Sequence, residues 1–258
     1  MRTHEIRIDR KKCVGCASCA MDCPVHNLKV EQQKAQVIRK NCLFCGHCVA
    51  VCPMGAVEIT GFSEAPVPVP EQSPCPRPEA NLDVLRFRRS IRQFRKDSIP
   101  EDVLSRILEA GNLTHTAKNA RDVCFVVLQK HLEEAETEAV KAARRLQRAG
   151  GIFSRTLKEA TIDSSFFFHG APVAIVIYAG QSVDGCLAAE NMASQAECEG
   201  LGVQFSGLFT AAVNHVPAVS RAMEVSTKKK AVMTLVIGVP AVRYQRSVPR
   251  NPARTLYR

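Results

Sequence analysis

Cys13-Val-Gly-Cys16-Ala-Ser-Cys19-Ala-Met-Asp-Cys23-Pro24 is answered by Cys42-Leu-Phe-Cys45-Gly-His-Cys48-Val-Ala-Val-Cys52-Pro53. Each run spaces its cysteines x2, x2, x3 and ends on a proline, and together the runs take eight of the twelve cysteines of the chain. Three cysteines at x2 spacing wrap one corner of a cubane, whereas structural zinc sites favour two CxxC pairs across a longer spacer. A disulfide framework needs an oxidising compartment. The start of the chain, Met-Arg-Thr-His-Glu-Ile-Arg, carries charge without the apolar run of a secretory signal.

The doubled run resembles that of bacterial two-cluster ferredoxins. The resemblance implies two [4Fe–4S] clusters, with the fourth cysteine of each run ligating the other run's cluster. Cluster one is then expected on Cys13, Cys16, Cys19 and Cys52, and cluster two on Cys42, Cys45, Cys48 and Cys23. Such clusters suggest an anaerobic or low-oxygen cell. The longest apolar stretch, Val173 to Tyr178, is too short to span a bilayer. The expectation is a soluble, cytoplasmic protein with no membrane partner.

Residues 1–62 form the ferredoxin domain, with Glu5–Ile8 and Val57–Ile59 as short β-prone flanks. Its apolar content is low, so bound metal is expected to supply much of its folding energy. Residues 63–80 are a linker, and Ala-Pro-Val-Pro-Val-Pro-Glu-Gln-Ser-Pro-Cys-Pro-Arg-Pro reads as a semi-rigid polyproline spacer, with Cys75 a bystander. Residues 81–258 form the larger domain. Asn81 caps a predicted helix over 82–89, and Pro100 opens another through Ala110. Strands are predicted over 123–128, 173–178 and 232–239, and helices over 131–148 and 184–199. Helices and strands mix without a βαβ rhythm, so the fold class is α+β. No G-x-G-x-x-G follows a strand, which argues against a dinucleotide-binding crossover.

The chain has 258 residues, a net charge of +10 and 46% apolar residues, enough for a small module plus one domain with a proper core. The basic residues are local rather than spread along a nucleic-acid motif, so no nucleic-acid partner is expected. In the first domain Arg7, Arg10, Lys11, Lys12, Arg39 and Lys40 make a basic surface that fits an acidic ferredoxin or flavodoxin.

Five segments of the larger domain carry its chemistry. Arg88-Arg89-Ser90-Ile91-Arg92-Gln93-Phe94 gathers guanidiniums around a hydroxyl, the makings of a phosphate clamp. Thr116-Ala117-Lys118-Asn119, Glu190-Asn191-Met192, Gly200-Leu-Gly-Val-Gln-Phe-Ser-Gly207 and Ile237-Gly-Val-Pro240, the last with Arg243, Arg246 and Arg250 beyond it, follow in order. In this order and spacing they resemble the nitroreductase family of FMN flavoproteins over nearly all of residues 84–258. The resemblance implies a nitroreductase-like FMN-binding α+β domain behind a ferredoxin-like 2[4Fe–4S] domain. It implies FMN held by Arg88, Arg89, Ser90 and Arg92 at phosphate and ribityl chain, and by Asn119 at the ring edge. It puts a backbone N–H of Ser206 and Gly207 at flavin N5, and Arg246 and Arg250 at the phosphate or the N1/O2 edge. It also implies an interlocked homodimer with FMN at the interface.

The implied activity is an FMN- and iron–sulfur-dependent reductase. Electrons run from a reduced donor through the clusters to FMN and on to a flat electrophile such as a nitroaromatic, quinone or activated alkene. Two alternatives stand beside it: an NAD(P)H-oxidising flavoprotein that passes electrons out through its clusters to a protein partner, and a non-enzymatic carrier or redox sensor. No side chain stands out as a catalytic acid. Where the family usually has Gln, Pro and Trp, this chain has Arg121, Asp122 and Val123. That pair is either a selector for an anionic substrate or a surface salt bridge. Phe166-Phe167-Phe168 is either a lid over the flavin or core filler. Cys124, Cys186 and Cys198 are read as small core residues.

Overall fold

Two left-handed residues, Ala17 (φ 66°) and Gly46 (φ 76°), turn the cysteine loops into four-residue helices α1 (Ser18–Met21) and α2 (His47–Ala50). The computed structural model describes residues 4–38, 42–70, 78–149, 160–247 and 251–258. The chain divides into two units, Met1–Cys75 and Pro76–Arg258. In the first, β1 (Ile6–Ile8) pairs antiparallel with β4 (Val57–Ile59), and β2 (Leu28–Glu31) pairs antiparallel with β3 (Lys34–Val37). The β2–β3 hairpin has no counterpart in the sequence expectation. Its two-residue turn is Gln32-Gln33, both left-handed at φ 49° and 57°, in place of the Asn-Gly or Asp-Gly that marks such turns. Among the described residues ten form the core of this unit, and four of them are Cys13, Cys19, Cys23 and Cys48. The ligand-type side chains therefore are a large part of the core.

In the second unit, α3 (Pro78–Phe87) starts earlier than the cap at Asn81 predicts, because Pro78 suits the first helical turn, where its missing N–H costs nothing. There follow α4 (Glu101–Asn112), β5 (Cys124–Leu128), α5 (Leu132–Arg148), β6 (Val173–Ala179), α6 (Ser182–Cys198), β7 (Gly202–Phe205), α7 (Gly207–His215), α8 (Pro217–Ala222) and β8 (Lys230–Gly238). The sheet order is β5-β6-β8-β7, and every pair is antiparallel. All seven residues of β6 are buried, and their alternation feeds two cores. Ala174, Val176 and Tyr178 meet α5, α7 and α8 through Ala139, Phe209 and Val219. Val173, Ile175 and Ile177 meet α4 and α6 through Ile107 and Met192. Helices thus cover both faces of an antiparallel sheet, a mixed α+β architecture.

The three cysteines read as core residues are exposed: Cys124, Cys186 and Cys198. The buried stripe of α6 runs through Asp184, Gly185, Ala188, Ala189, Met192, Ala193 and Ala196, and Cys186 and Cys198 lie off it. Cys124 opens the edge strand β5. Cys75 lies outside the described residues. Among the described residues no helix is long and apolar enough to cross a membrane.

Candidate cofactor sites

In the N-terminal unit, Cys52 lines the same apolar cavity as Cys13, Cys16 and Cys19, together with Val14 and Met54. Burial pushes the Cys19 thiol up, and the next contributions come from Cys52, Cys13 and Cys16. Cys48 is pushed up to about 11 by burial and then by Cys42, Cys45, Cys19 and Cys23. Crowded thiolates repel one another and call for positive charge among them. Backbone N–H groups are already aimed at the sulfurs: Ala35 to Cys13 Sγ at 3.3 Å, Asn27 to Cys23 at 3.2 Å, Phe44 to Cys42 at 3.3 Å and Ala56 to Cys52 at 3.2 Å. Among the described residues no three His, Cys, Asp or Glu groups close to the spacing of a single-ion site. Cys13, Cys16, Cys19 and Cys52 line a cavity instead, as ligands that each bind a different iron of one cluster would.

The cysteines of the second run stand 29 residues after those of the first, and the same offset relates their surroundings. Gly15 (φ 72°) corresponds to Phe44 (φ 55°). A Cβ on Gly15 would meet the Gln33 carbonyl oxygen at 2.4 Å. In the second copy Phe44 instead stacks on Phe62, with ring centroids 3.9 Å apart.

In the C-terminal unit the stretch after α3 lies along the edge strand β7. Ser90 bridges Val203 in parallel, Ile91 N–H donates to the Val203 carbonyl at 3.0 Å, and Phe94 bridges Pro240. Gly202 permits this approach, since a Cβ there would stand 2.6 Å from Ile91 Cγ1. Arg88–Arg92 and Ser206–Gly207, far apart in sequence, therefore share one edge of the sheet. The loop at 166–169 reaches it too: the buried Ser206 hydroxyl donates to the Phe167 carbonyl at 3.5 Å. Burial holds the His169 imidazole below its usual pKa, and the Arg92 guanidinium adds to that.

The arginines are not equivalent. Arg88 Nη1 is paired with Glu190 Oε1 on α6. Arg89 is half-buried, and its Nη2 is buried with no partner among the described residues. Ser90 and Arg92 are exposed. The Ser206 N–H donates to the Thr234 carbonyl at 2.8 Å, so it belongs to the sheet. Gly207 is exposed in the first turn of α7, where N–H groups have no intrahelical acceptor. Arg246 is exposed, and Arg250 lies outside the described residues.

Helix α6 braces both segments. Besides Glu190 on Arg88, Asn191 Nδ2 donates to Thr114 Oγ1 at 2.8 Å, and the buried Asp184 accepts the Ala117 N–H at 3.2 Å. These hold a loop in which Lys118, Asn119 and Arg121 are all left-handed (φ 53°, 52° and 48°). Sequence reasoning singled out Glu190-Asn191 without a role and missed Asp184. An acidic residue in the first turn of a long helix is the signal that was there to read.

The Arg121–Asp122 question resolves into two separate local ties. Asp122 Oδ2 accepts the Gly180 N–H at 3.1 Å and stands 3.8 Å from Lys229 Nζ. Arg121 Nε donates to Asn119 Oδ1 at 3.3 Å. Phe167 and Phe168 are core, 3% and 0% exposed, and Phe168 packs on Phe209 with centroids 4.5 Å apart. Their N–H groups both donate to the buried Glu136 Oε1, at 2.9 and 2.7 Å. Core filler is therefore their role.

Residues 85–239 match the model of the Nitroreductase family, and residues 5–53 match a 4Fe-4S dicluster domain. Among solved structures, a nitroreductase with bound FMN from Bacteroides fragilis is 20% identical, covering 68% of this chain and 98% of its own, with a TM-score of 0.55. A nitroreductase with bound FMN from Desulfitobacterium hafniense is 19% identical over 69% of this chain and 97% of its own, with a TM-score of 0.56. Oxidized iodotyrosine deiodinase bound to FMN and 3-iodo-L-tyrosine is 18% identical over 69% and 98%, with a TM-score of 0.55. At these identities the likeness is one of fold. No curated protein matches the chain. With the family model covering residues 85–239 and the dicluster model covering 5–53, the chain belongs to the nitroreductase family of oxidoreductases and carries a 4Fe-4S dicluster domain ahead of its family domain.

Proposed function

We propose that this protein is an FMN- and iron–sulfur-dependent reductase, with residues 1–62 holding two [4Fe–4S] clusters, 63–80 a spacer and 81–258 the flavin domain. Cys13, Cys16, Cys19 and Cys52 hold cluster one, and Cys42, Cys45, Cys48 and Cys23 hold cluster two. The shared cavity of the first set supports that crossing. The observation that carries the flavin half is Arg89 Nη2, buried without a partner. Leaving a buried polar group unpaired costs about 1–3 kcal/mol, and a phosphate dianion is an acceptor that a guanidinium fork matches.

Arg89 is thus the principal phosphate ligand, flanked by Ser90 and Arg92. Arg88, paired with Glu190, anchors the segment to α6. Asn119 meets the ring edge, and Arg246 and Arg250 add tail cations. The Gly207 N–H, rather than the sheet-bound Ser206 N–H, faces flavin N5. Bound there, FMN would exchange single electrons with the clusters and pairs with a flat electrophile such as a nitroaromatic, quinone or activated alkene.

Reduced ferredoxin or flavodoxin is the donor, drawn to the basic first domain. The protein acts as a cytoplasmic homodimer. Leu82 and Phe87 on α3, and Val183 and Leu187 on α6, are exposed apolar side chains of the kind a subunit interface covers. The test is an anaerobic titration followed by visible absorption, with iron and FMN counted beforehand. Ferredoxin bleaching the clusters and then the flavin, with NAD(P)H inert, is the expected result. Flavin bleached first by NAD(P)H would reverse the wire and overturn the donor assignment. A second test is charge reversal at Lys11 and Lys12, which should slow donor-supported turnover at low salt.

A further inference from the structure

The two cluster environments are built on one repeat but differ in charge. On the cluster-one side, Lys34 Nζ donates to the Cys13 carbonyl at 2.6 Å, which pins an ammonium beside a cluster ligand. Ser18 Oγ lies 3.4 Å from Cys16 Sγ. Once that sulfur binds iron it has no proton to give, so the serine hydroxyl becomes the donor. The offset of 29 residues puts Ser63 at the position of Lys34 and His47 at that of Ser18. His47 Nδ1 faces Asp22 Oδ2 at 3.5 Å. Asp22 itself precedes Cys23, a cluster-two ligand, whereas its counterpart before Cys52 is Val51. Near the start of the runs, Arg10, Lys11 and Lys12 correspond to Arg39, Lys40 and Asn41, which leaves one further cation with the first copy.

Reduction adds a negative charge to a cluster. Nearby cations and hydrogen-bond donors to its sulfurs stabilise that state and raise the potential, and a nearby carboxylate lowers it. The exchanges of Lys34 for Ser63 and of Asp22 for Val51 act in the same sense, and Ser18 adds a donor to sulfur on the cluster-one side. Resting on the two-cluster reading above, we propose that cluster one has the higher potential, set by Lys34 and Ser18, so that the electron of a half-reduced module resides there.

The experiment is an EPR-monitored redox titration of the full-length protein, with iron and acid-labile sulfide counted first. Wild type should show two separated one-electron steps. Lys34→Met should lower the upper step and leave the lower one in place. Ser18→Ala should lower the upper step by a smaller amount, and Ser18→Thr should restore it. Asp22→Asn should raise the lower step. A single unresolved step in wild type overturns the proposal, as does movement of the lower step, or of neither, in both Lys34→Met and Ser18→Ala. Should Lys34→Met shed iron, the half-buried Ser18 is tested alone by its Ala and Thr variants. A wild-type iron count short of two clusters instead overturns the cluster reading, and is separable from a full count with unshifted steps.

Discussion

The two units of this chain reach order by different routes. In the N-terminal unit four of ten core residues are cysteines, and its two sheets have two strands each. In the C-terminal unit a four-stranded sheet is sealed on both faces by aliphatic and aromatic side chains. The first is expected to draw much of its folding energy from bound metal, because crowded thiols replace the apolar packing a small domain requires. The second is a self-sufficient core that presents a finished edge to a cofactor.

The largest effect should come from stripping iron. Anaerobic chelation is expected to expose residues 4–62 to protease while a fragment from about Pro78 onward resists; continued protection of the N-terminal unit would break the contrast. Next, Phe168→Ala empties a fully buried position and should cost the C-terminal unit about 3–5 kcal/mol. Its thermal midpoint should fall by roughly 10 °C with cluster absorbance unchanged, and coupled loss of iron would mean the units are not independent.

Arg89→Ala should weaken FMN binding about 10–100-fold through loss of charged hydrogen bonds. Arg88→Ala should weaken it less, since Glu190 already holds that guanidinium. Flavin release measured by fluorescence, alongside an iron count, checks both, and flavin retained by the Arg89 variant would remove the clamp. The smallest effect concerns His169. Burial and Arg92 keep its folded pKa below the usual value, so the unfolded chain binds more protons as pH falls from about 6.5. Stability of the C-terminal unit should be present above that pH and fall below it, by a small amount after solvent screening. His169→Asn should flatten the thermal midpoint between pH 7 and 5; an unchanged slope would dismiss the effect.

How much of this could be read in the chain depends on distance along it. The cysteine runs are local, and x2 spacing on a short loop and helix is itself the ligand geometry. The long helices were readable because burial repeats at a fixed period, and β6 because it is a continuous apolar run. The Gln32-Gln33 turn was not, since its residues carry no left-handed preference and only the packing of the hairpin holds them there. The exposure of Cys186 and Cys198 depends on which stripe of α6 meets the sheet, a choice that residue type alone leaves open.

Legible in the chain alone were the family, the two-run cluster architecture, the α+β class and the segment where an anion clamp would lie. Each of these is encoded in residues close together or in order along the chain. Folding settles that Arg88 is bound to Glu190 while Arg89 Nη2 lacks a partner among the described residues, that the Ser206 N–H belongs to the sheet, and that Phe167 and Phe168 are core. It also set Lys34 against Cys13. The physical reason is that a polar group's role is fixed by who satisfies it, and those partners lie tens to more than a hundred residues away, brought together only when each unit folds.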